Sequence, residues 1–418
     1  MFYYKIKTTT ERCALSLHGE LPIPGAGWSS PIVWGDRVFL TGATADQPMK
    51  QPSYGVDFSN EYIAELRAQG LPMEEILAKS DARDAEFPDE VVVSLMLYSL
   101  DLNSGEIVWE RQLYQGNPAV GRHRKNTYTS ATPVTDGELV FASFGHQGMM
   151  AVDFDGNLVW HNKIEDLSNY HGSAGSPVLY EDEVIIYQDH GGASFVAAFG
   201  KRTGDVVWRT KRDAGVGWGT PIVIDTGERD ELIVSSQSRV RAYDPATGEE
   251  LWTVRGNLRG VIPTPVVGHG LVFATSGRAG PTFAIRPGGE GDVTDSHVAW
   301  KTQRGSPFVP SPIVVGEYLF MINDMLSIVT NYEASTGRLV YQGRLGRSSR
   351  EGFSASPVAL DGKVFFTNDA GQTFVVEVGP EFILLHVNEL NAQTLASPAL
   401  VDGTWYFRTD SELIAIGK

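Results

Sequence analysis

Several oxygen-bearing side chains follow short apolar segments of this chain, and together they could bind a metal ion. They are Asp189, Asn323, Asp324, Asn368, Asp369 and Asp410. Calcium takes about six to eight oxygen ligands, so converging carboxylates and amides would suit it. The same residue types are favoured in tight turns, where their side chains bond the local backbone. The sequence leaves open both a structural role and a calcium site at Asn323, Asp324, Asn368 and Asp369.

Cationic and aromatic side chains recur in a second set of connecting segments. Guanidinium groups bind carboxylates in a bidentate manner, so this pattern predicts a binding rim for a carboxylate, an acidic sugar or an acidic peptide segment. Arginines paired with neighbouring acids would give the same pattern, and this alternative stays open. The residues predicted to form the cofactor-binding or ligand rim are Arg122, Arg124, His171, Asp189, His190, Trp218, Arg239, Arg278 and Arg350.

Charge and composition exclude several classes of protein. The chain has 34 Lys and Arg against 51 Asp and Glu, and the net charge of −17 disfavours binding to nucleic acid. Its single cysteine, Cys13, excludes an intrachain disulfide and a thiolate metal cluster. The sequence has no run of 18 apolar residues, which is about the length needed to span a bilayer. Residues Met1 to Thr10 lack the apolar stretch of a secretory signal, so the chain is either cytoplasmic or a trimmed form.

These candidate residues must be positioned by a repeated unit in which a Ser or Thr precedes a proline, an apolar segment and a Gly or Asp turn. The prolines are Pro31, Pro133, Pro177, Pro221, Pro265, Pro312, Pro357 and Pro398. Apart from the first interval, the spacing is 41 to 47 residues, which is typical of propeller blades. The eight starts predict an all-β fold, an eight-bladed β-propeller of four-stranded antiparallel blades, as a single domain over residues 1–418.

A second signature in each repeat places an aromatic residue four positions after a glycine. Examples are the pairs Gly105–Trp109, Gly156–Trp160, Gly204–Trp208 and Gly248–Trp252. We expect each tryptophan on the outermost strand to pack between neighbouring blades. The hydroxyl residues before the prolines are expected to bond backbone or water near the axis, and their repetition argues against a catalytic serine. They are Ser30, Thr132, Ser176, Thr220, Thr264, Ser311, Ser356 and Ser397.

The two ends of the chain are predicted to close the ring. After Pro398 the chain has room for only three strands, so the segment Arg12 to Leu17 is the expected donor of the fourth, an outer strand within residues 12–20. Such closure removes exposed sheet edges. The long first interval predicts a helical insertion in blade 1, residues 44–90, with helices at Asn60–Gln69 and Met73–Lys79. This insertion is either a lid on one rim or a solvent-exposed addition without a function of its own.

The repeat, in which Ser-Pro is followed by a Gly-Asp turn and then Asp-x-x-Thr-Gly-x-x-x-Trp, resembles the pyrroloquinoline-quinone-type (PQQ-like) propeller superfamily over roughly Arg12 to Lys418. That superfamily includes quinoprotein alcohol dehydrogenases, which hold PQQ and calcium, and the non-catalytic scaffold family BamB. The resemblance implies a periplasmic or secreted location. Dehydrogenases of this type carry two adjacent cysteines, whereas this sequence has one cysteine in all.

Three functions follow as hypotheses. The preferred one is a non-catalytic binding or scaffold propeller, expected to be a monomer, whose loop-rich rim binds a protein partner or an anionic or glycan ligand. The second is a PQQ- and calcium-dependent dehydrogenase of alcohols or sugars. The third is a carbohydrate-active propeller with a stacking and acid/base site at Trp28, His171, His190 and Trp218.

Overall fold

The structure, a computed structural model, describes residues 19–47, 65–84, 91–117, 122–123, 125–164, 167–169, 171–277, 280–346 and 352–417. Eight antiparallel sheets follow one another along the chain, which confirms the predicted eight-bladed propeller. We name the strands of each blade A to D in the order of the sheet, with A nearest the axis. Strand β1 (Glu20–Pro22) precedes blade 1 and belongs to the last blade.

The strand bounds of the first four blades are as follows. Blade 1 has β2 (Ile32–Trp34), β3 (Arg37–Ala45), β4 (Val93–Asp101) and β5 (Ile107–Gly116); blade 2 has β6 (Val134–Thr135), β7 (Leu139–Ser143), β8 (Met149–Asp153) and β9 (Leu158–Asn162). Blade 3 has β10 (Val178–Tyr180), β11 (Glu183–Gln188), β12 (Phe195–Gly200) and β13 (Val206–Lys211); blade 4 has β14 (Ile222–Asp225), β15 (Asp230–Ser236), β16 (Arg239–Tyr243) and β17 (Glu250–Arg255).

The remaining blades repeat this arrangement. Blade 5 has β18 (Val266–Gly268), β19 (Leu271–Thr275), β20 (Thr282–Ile285) and β22 (Val298–Thr302); blade 6 has β23 (Ile313–Val315), β24 (Tyr318–Asn323), β25 (Ile328–Glu333) and β26 (Leu339–Arg344). Blade 7 has β27 (Val358–Leu360), β28 (Lys363–Thr367), β29 (Gln372–Glu377) and β30 (Leu384–Glu389); blade 8 has β31 (Ala399–Val401), β32 (Thr404–Arg408), β33 (Glu412–Ile416) and β1.

Helix is confined to short pieces among the described residues. Residues 65–68 are helical, and helix α1 (Met73–Asp84) is longer than the predicted Met73–Lys79. The start of the predicted helix Asn60–Gln69 lies outside the described residues. A second helix, α2 (Thr294–His297), lies in blade 5. The buried side chains of Leu66 and Ile76 show that the insertion in blade 1 has an apolar contact.

As predicted, the repeated hydroxyl groups form hydrogen bonds with the backbone near the axis. Six of the eight hydroxyls accept a hydrogen bond from the backbone N–H of the equivalent residue in the preceding blade. Strand A is the inner edge, so amides there lack a partner in the sheet. The links run from Ser30 to Thr132, Thr132 to Ser176, Ser176 to Thr220, Thr264 to Ser311, Ser311 to Ser356 and Ser356 to Ser397, with N···O distances of 2.9–3.1 Å. These bonds join the blades at the centre.

The glycine and tryptophan of the second signature act between blades. The indole N–H of Trp160 donates to the Lys201 carbonyl of blade 3 at 2.7 Å, and its ring lies on Gly204. A Cβ on Gly204 would lie 2.6 Å from the Trp160 ring, and the φ of +72° at this turn also favours glycine. Trp109, Trp208 and Trp300 make the same contact with Gly156, Gly248 and Gly337 of the next blade.

Blade 4 departs from this rule. The indole N–H of Trp252 donates to the Glu231 carboxylate of its own blade at 2.8 Å. The same blade gains a fifth strand, β21 (Gly291–Asp292), which pairs in parallel with β17. Glu231 is fully buried, is bonded by Arg229 and accepts from the Gly288 N–H, so it fixes the insertion that carries β21.

The N-terminal part of the chain closes the ring through β1. Glu20, Leu21 and Pro22 pair with Ile414, Leu413 and Glu412 of β33. The predicted donor, Arg12 to Leu17, lies outside the described residues, and the pairing seen here begins at Glu20. The next residues are held between blades 8 and 1, where Tyr98 Oη donates to the Pro24 carbonyl at 2.9 Å and Arg408 Nη2 to the Gly25 carbonyl at 3.0 Å.

Removal of this closing segment is expected to destabilise the whole propeller. A chain that starts at Gly25 loses β1 and the buried side chain of Ile23, whereas a chain that starts at Gly19 keeps both. Burial of one large aliphatic side chain contributes about 1.5–3 kcal/mol, so we expect the shorter chain to lose on the order of 3 kcal/mol of unfolding free energy in urea denaturation. Equal stability of the two chains would show that β1 does not hold the ring.

Candidate functional site

The predicted site residues lie mostly at one end of the propeller. We call this end, which carries the B–C and D–A connections, the rim face. Both kinds of connection share one end because successive strands in a blade are antiparallel. The structure distributes the predicted residues over three places: the mouth of the axial channel, the joint between blades 3 and 4, and the D–A connections of blades 1 to 3.

An ion pair lies across the channel mouth. Lys125, in the connection from blade 1 to blade 2, binds the carboxylate of Asp369 in blade 7. The other oxygen of Asp369 accepts a hydrogen bond from the Ser354 N–H at 2.8 Å. Asp324 of blade 6 lies close enough for both charges to affect its carboxyl group. The structure thus brings two of the predicted acidic residues together, but with a lysine beside them.

Asp324 is held in place by its own connection. Its Oδ1 accepts a hydrogen bond from the Phe308 N–H at 2.9 Å. Burial raises the pKa of this carboxyl group, an effect that Phe308 N–H and Lys125 partly offset. Asn323 and Asn368 instead cap their turns, with Oδ1 accepting from the backbone N–H of Leu326 and Gln372 respectively. The turn role left open by the sequence accounts for both asparagines.

Asp189 forms a buried ion pair between blades 3 and 4. Arg212 donates to both of its carboxylate oxygens, at 2.8 and 3.0 Å, and neither side chain has any exposed surface. The guanidinium also donates to Tyr243 Oη and lies 5.4 Å from the ring centres of Tyr187 and Tyr243. Burial alone would lower the pKa of Arg212, but the Asp189 carboxylate raises it. This pair stabilises the joint between the blades.

His190, the neighbour of Asp189, is likewise engaged by its own loops. Its Nδ1 accepts from the backbone N–H of Gly192 at 3.0 Å and of Ser168 at 3.3 Å. Burial lowers the pKa of the imidazole. Because Nδ1 accepts from two backbone N–H groups, the ring proton of the neutral imidazole lies on Nε2.

His171 and Trp218 lie side by side in consecutive D–A connections, with ring centres 5.7 Å apart. His123 extends the row, 4.9 Å from His171. The Trp218 indole N–H donates to the Gly172 carbonyl at 2.7 Å. Arg122 precedes His123 in the chain. Its guanidinium group donates to the Asn126 carbonyl, and its Cζ lies 5.8 Å from the ring centre of Tyr128.

A cleft opens between blades 1 and 2 beside this row. It encloses about 500 Å³ including its open mouth, and apolar and aromatic side chains make up much of its wall. Representative lining residues are Tyr114, Tyr128, Phe144, His146 and Asn169. Among the described residues of its lining, His146 is the one acidic or basic side chain, and its pKa is lowered by burial and by Lys163. Such a cleft suits a neutral or aromatic group.

The other predicted rim residues are separate from these places. Arg239 begins β16 opposite Arg255, close enough to Asp292 to contribute to the lowered pKa of that carboxyl group. Arg124, Arg278 and Arg350 lie outside the described residues. Sequence reasoning did not single out Arg212, His123 or Asn126, because the repeat does not indicate which loop residues contact one another.

Comparison with known families identifies the type of propeller. The chain matches the family described as outer membrane protein assembly factor BamB over residues 87–195 and 192–418. The chain belongs to this BamB family of PQQ-like propellers. Curated protein sequences gave no match. Within the described residues, no helix is long and apolar enough to cross a membrane.

Solved structures extend the likeness of this BamB-family chain at the level of the fold. BamB from Moraxella catarrhalis is 15% identical, with a TM-score of 0.57 over 79% of this chain and 92% of that one. Quinohemoprotein alcohol dehydrogenase from Comamonas testosteroni is 11% identical, with a TM-score of 0.55 over 78% and 72%. A computationally designed protein, Ika8, is 8% identical, with a TM-score of 0.60 over 97% and 100%.

The dehydrogenase branch of these propellers raises the question of whether the mouth of this BamB-family chain suits calcium. The oxygens of Asp324, Asp369, Asn323 and Asn368 accept hydrogen bonds from protein groups, and the Lys125 ammonium occupies the position of a cation beside Asp369. No group of three or more His, Cys, Asp or Glu side chains in the described part of the chain is arranged to hold a metal. This arrangement does not fit a calcium ion.

Proposed function

We propose that this protein is a non-catalytic binding scaffold whose rim face holds a protein partner outside the cytoplasm. One observation carries the proposal: the charged residues that could do chemistry are committed to contacts within the fold. Asp189 is bound by Arg212, and Asp369 is bound by Lys125. Membership of a family described as an outer membrane protein assembly factor supports a partner-binding role.

The exposed surface of the rim face supports protein binding. The side chains of Met325 and Leu326, in the B–C turn of blade 6, are 67% and 51% exposed, and that of Leu258 is 46% exposed. Adjacent exposed apolar side chains such as Met325 and Leu326 are typical of interaction sites. The Lys125–Asp369 pair fixes two distant connections relative to each other, which keeps this face rigid for binding.

A photo-crosslinking amino acid placed at rim positions in the producing cells tests this proposal. We expect Met325 or Tyr114 variants to give discrete adducts with one protein that mass spectrometry identifies. Variants at Glu317 and Asp205, in turns at the opposite end, serve as matched controls and should give none. Adducts only at the opposite end, or at neither end, would contradict a rim-face scaffold, and recovery of the chain solely from the cytoplasmic fraction would contradict the proposed location.

A second candidate is the quinoprotein oxidoreductase, which the structural likeness to quinohemoprotein alcohol dehydrogenases favours. The single cysteine of the sequence and the protein-bound oxygens at the channel mouth weigh against it.

A further inference from the structure

The rim face is not uniform, and one part of it combines exposed apolar side chains with exposed cations. This part comprises the B–C connections of blades 4 to 6 and the D–A connections that join these blades. We call it the 4–6 sector, and its described residues are 237–238, 256–265, 276–277, 280–281, 303–312 and 324–327.

The apolar side chains Leu258, Phe308 and Met325 of the 4–6 sector lie on neighbouring connections, and we call them the strip. Leu258 lies over the blade 5 connection, where a Cβ on Gly280 would be 3.1 Å from its Cδ1. Phe308 lies over the same connection, 2.8 Å from a Cβ position on Gly277. The Phe308 N–H in turn donates to Asp324, the neighbour of Met325. Leu258 and Phe308 thus both lie against the described parts of the blade 5 connection, and Met325 follows the residue that Phe308 binds.

The charges of the 4–6 sector are one-sided. Arg259 and Arg304 are exposed, and neither makes an ion pair with a described residue. Arg344 borders the strip and donates to the Leu326 carbonyl at 2.7 Å. Among the described residues of the sector the one acidic side chain is Asp324, which is buried. This local positive charge occurs on a chain whose net charge is −17.

The opposite end of the same blades has the reverse character. Acidic residues in its turns include Glu228, Asp244, Glu249, Glu290 and Glu317. A partner with acidic side chains is therefore repelled by that end and attracted to the 4–6 sector. The charge distribution therefore determines which end of the propeller an acidic partner binds.

We propose that the 4–6 sector binds a segment of a partner protein that carries acidic and apolar side chains together. Arg259 and Arg304 pair with its carboxylates, and Leu258, Phe308 and Met325 pack against its apolar side chains. The inference rests on the proposed scaffold function and adds the sector and the chemistry of the partner segment. The cleft between blades 1 and 2 is the alternative place on the rim face, and the nearly uncharged side chains in the described part of its lining suit a different kind of group.

Fluorescence anisotropy with two short labelled peptides tests the chemistry. One peptide alternates Leu with Glu, and the other alternates Leu with Lys. We expect the acidic peptide to bind the wild-type protein and the basic one not to bind. The double variant Arg259→Glu, Arg304→Glu should weaken binding at least about tenfold, and Met325→Asp should also weaken it. Arg202→Glu is the matched control, since Arg202 is exposed in a C–D turn at the opposite end.

Three results would overturn the inference: no binding of the acidic peptide, equal binding of both peptides, or unchanged binding to the double variant. Crosslinking in cells separates its failure from that of the scaffold function. Adducts at Tyr114 without adducts at Met325 would show that the rim face binds its partner at the cleft and that the 4–6 sector is wrong. An absence of adducts at both positions would refute the scaffold function itself.

Discussion

Replacing Arg212 with methionine is expected to lower the free energy of unfolding by about 3–5 kcal/mol, because the change leaves the Asp189 carboxylate buried without a partner. Both side chains are fully buried in the wild-type protein. Urea denaturation followed by tryptophan fluorescence measures the loss. The buried, unpaired carboxylate causes most of this loss of unfolding free energy, which therefore exceeds the loss expected from the missing hydrogen bonds alone.

The double variant Asp189→Asn, Arg212→Met is the matched control for this prediction. It removes both charges, and we expect it to be more stable than the single variant Arg212→Met. A loss below about 1 kcal/mol for Arg212→Met, which is the range of an exposed pair, would contradict the structural role assigned to Asp189.

Replacing Trp160 with alanine is the second change with a large expected effect, about 3–5 kcal/mol of unfolding free energy. The indole ring is 8% exposed, packs on Gly204 of the next blade and donates to the Lys201 carbonyl. Trp34→Ala is the control, because Trp34 is 48% exposed and should cost far less.

A double-mutant cycle shows whether Trp160 acts through Gly204. The variant Gly204→Ala places a methyl group against the indole, so its cost should fall once the indole is removed. If Gly204→Ala costs the same in the wild type and in Trp160→Ala, the two residues do not interact, and the contact between blades 2 and 3 would need another explanation.

The fold could be predicted from the sequence because the repeat is clear. A proline preceded by a hydroxyl residue marks each blade, and a glycine followed by a tryptophan marks blades 1 to 4. The inner edge tolerates proline, and the contact between blades requires glycine. Blade 4 is the exception, because the sequence signature does not reveal that Trp252 bonds Glu231 and that β21 joins its sheet.

The contacts at the candidate site were harder to predict because they join residues of different loops. Lys125 and Asp369 are 244 positions apart, and Asp189 and Arg212 belong to the joint of two blades. The residue types were recognised, but aspartates that follow strand B have three different environments here. Asp189 binds an arginine, Asp324 binds a backbone amide, and Asp369 binds a lysine. The group that each aspartate binds depends on the loop sequences, which do not follow the repeat.

Calorimetric titration with pyrroloquinoline quinone, in the presence and absence of Ca²⁺, tests most directly whether this propeller binds a partner or performs catalysis. The structure predicts no saturable heat and no dye-linked oxidation of alcohols or sugars, since Lys125 neutralises Asp369 and the neighbouring oxygens are bonded within the fold. Micromolar binding of the quinone with calcium-dependent turnover, lost in Asp369→Asn, would contradict the account and identify an oxidoreductase.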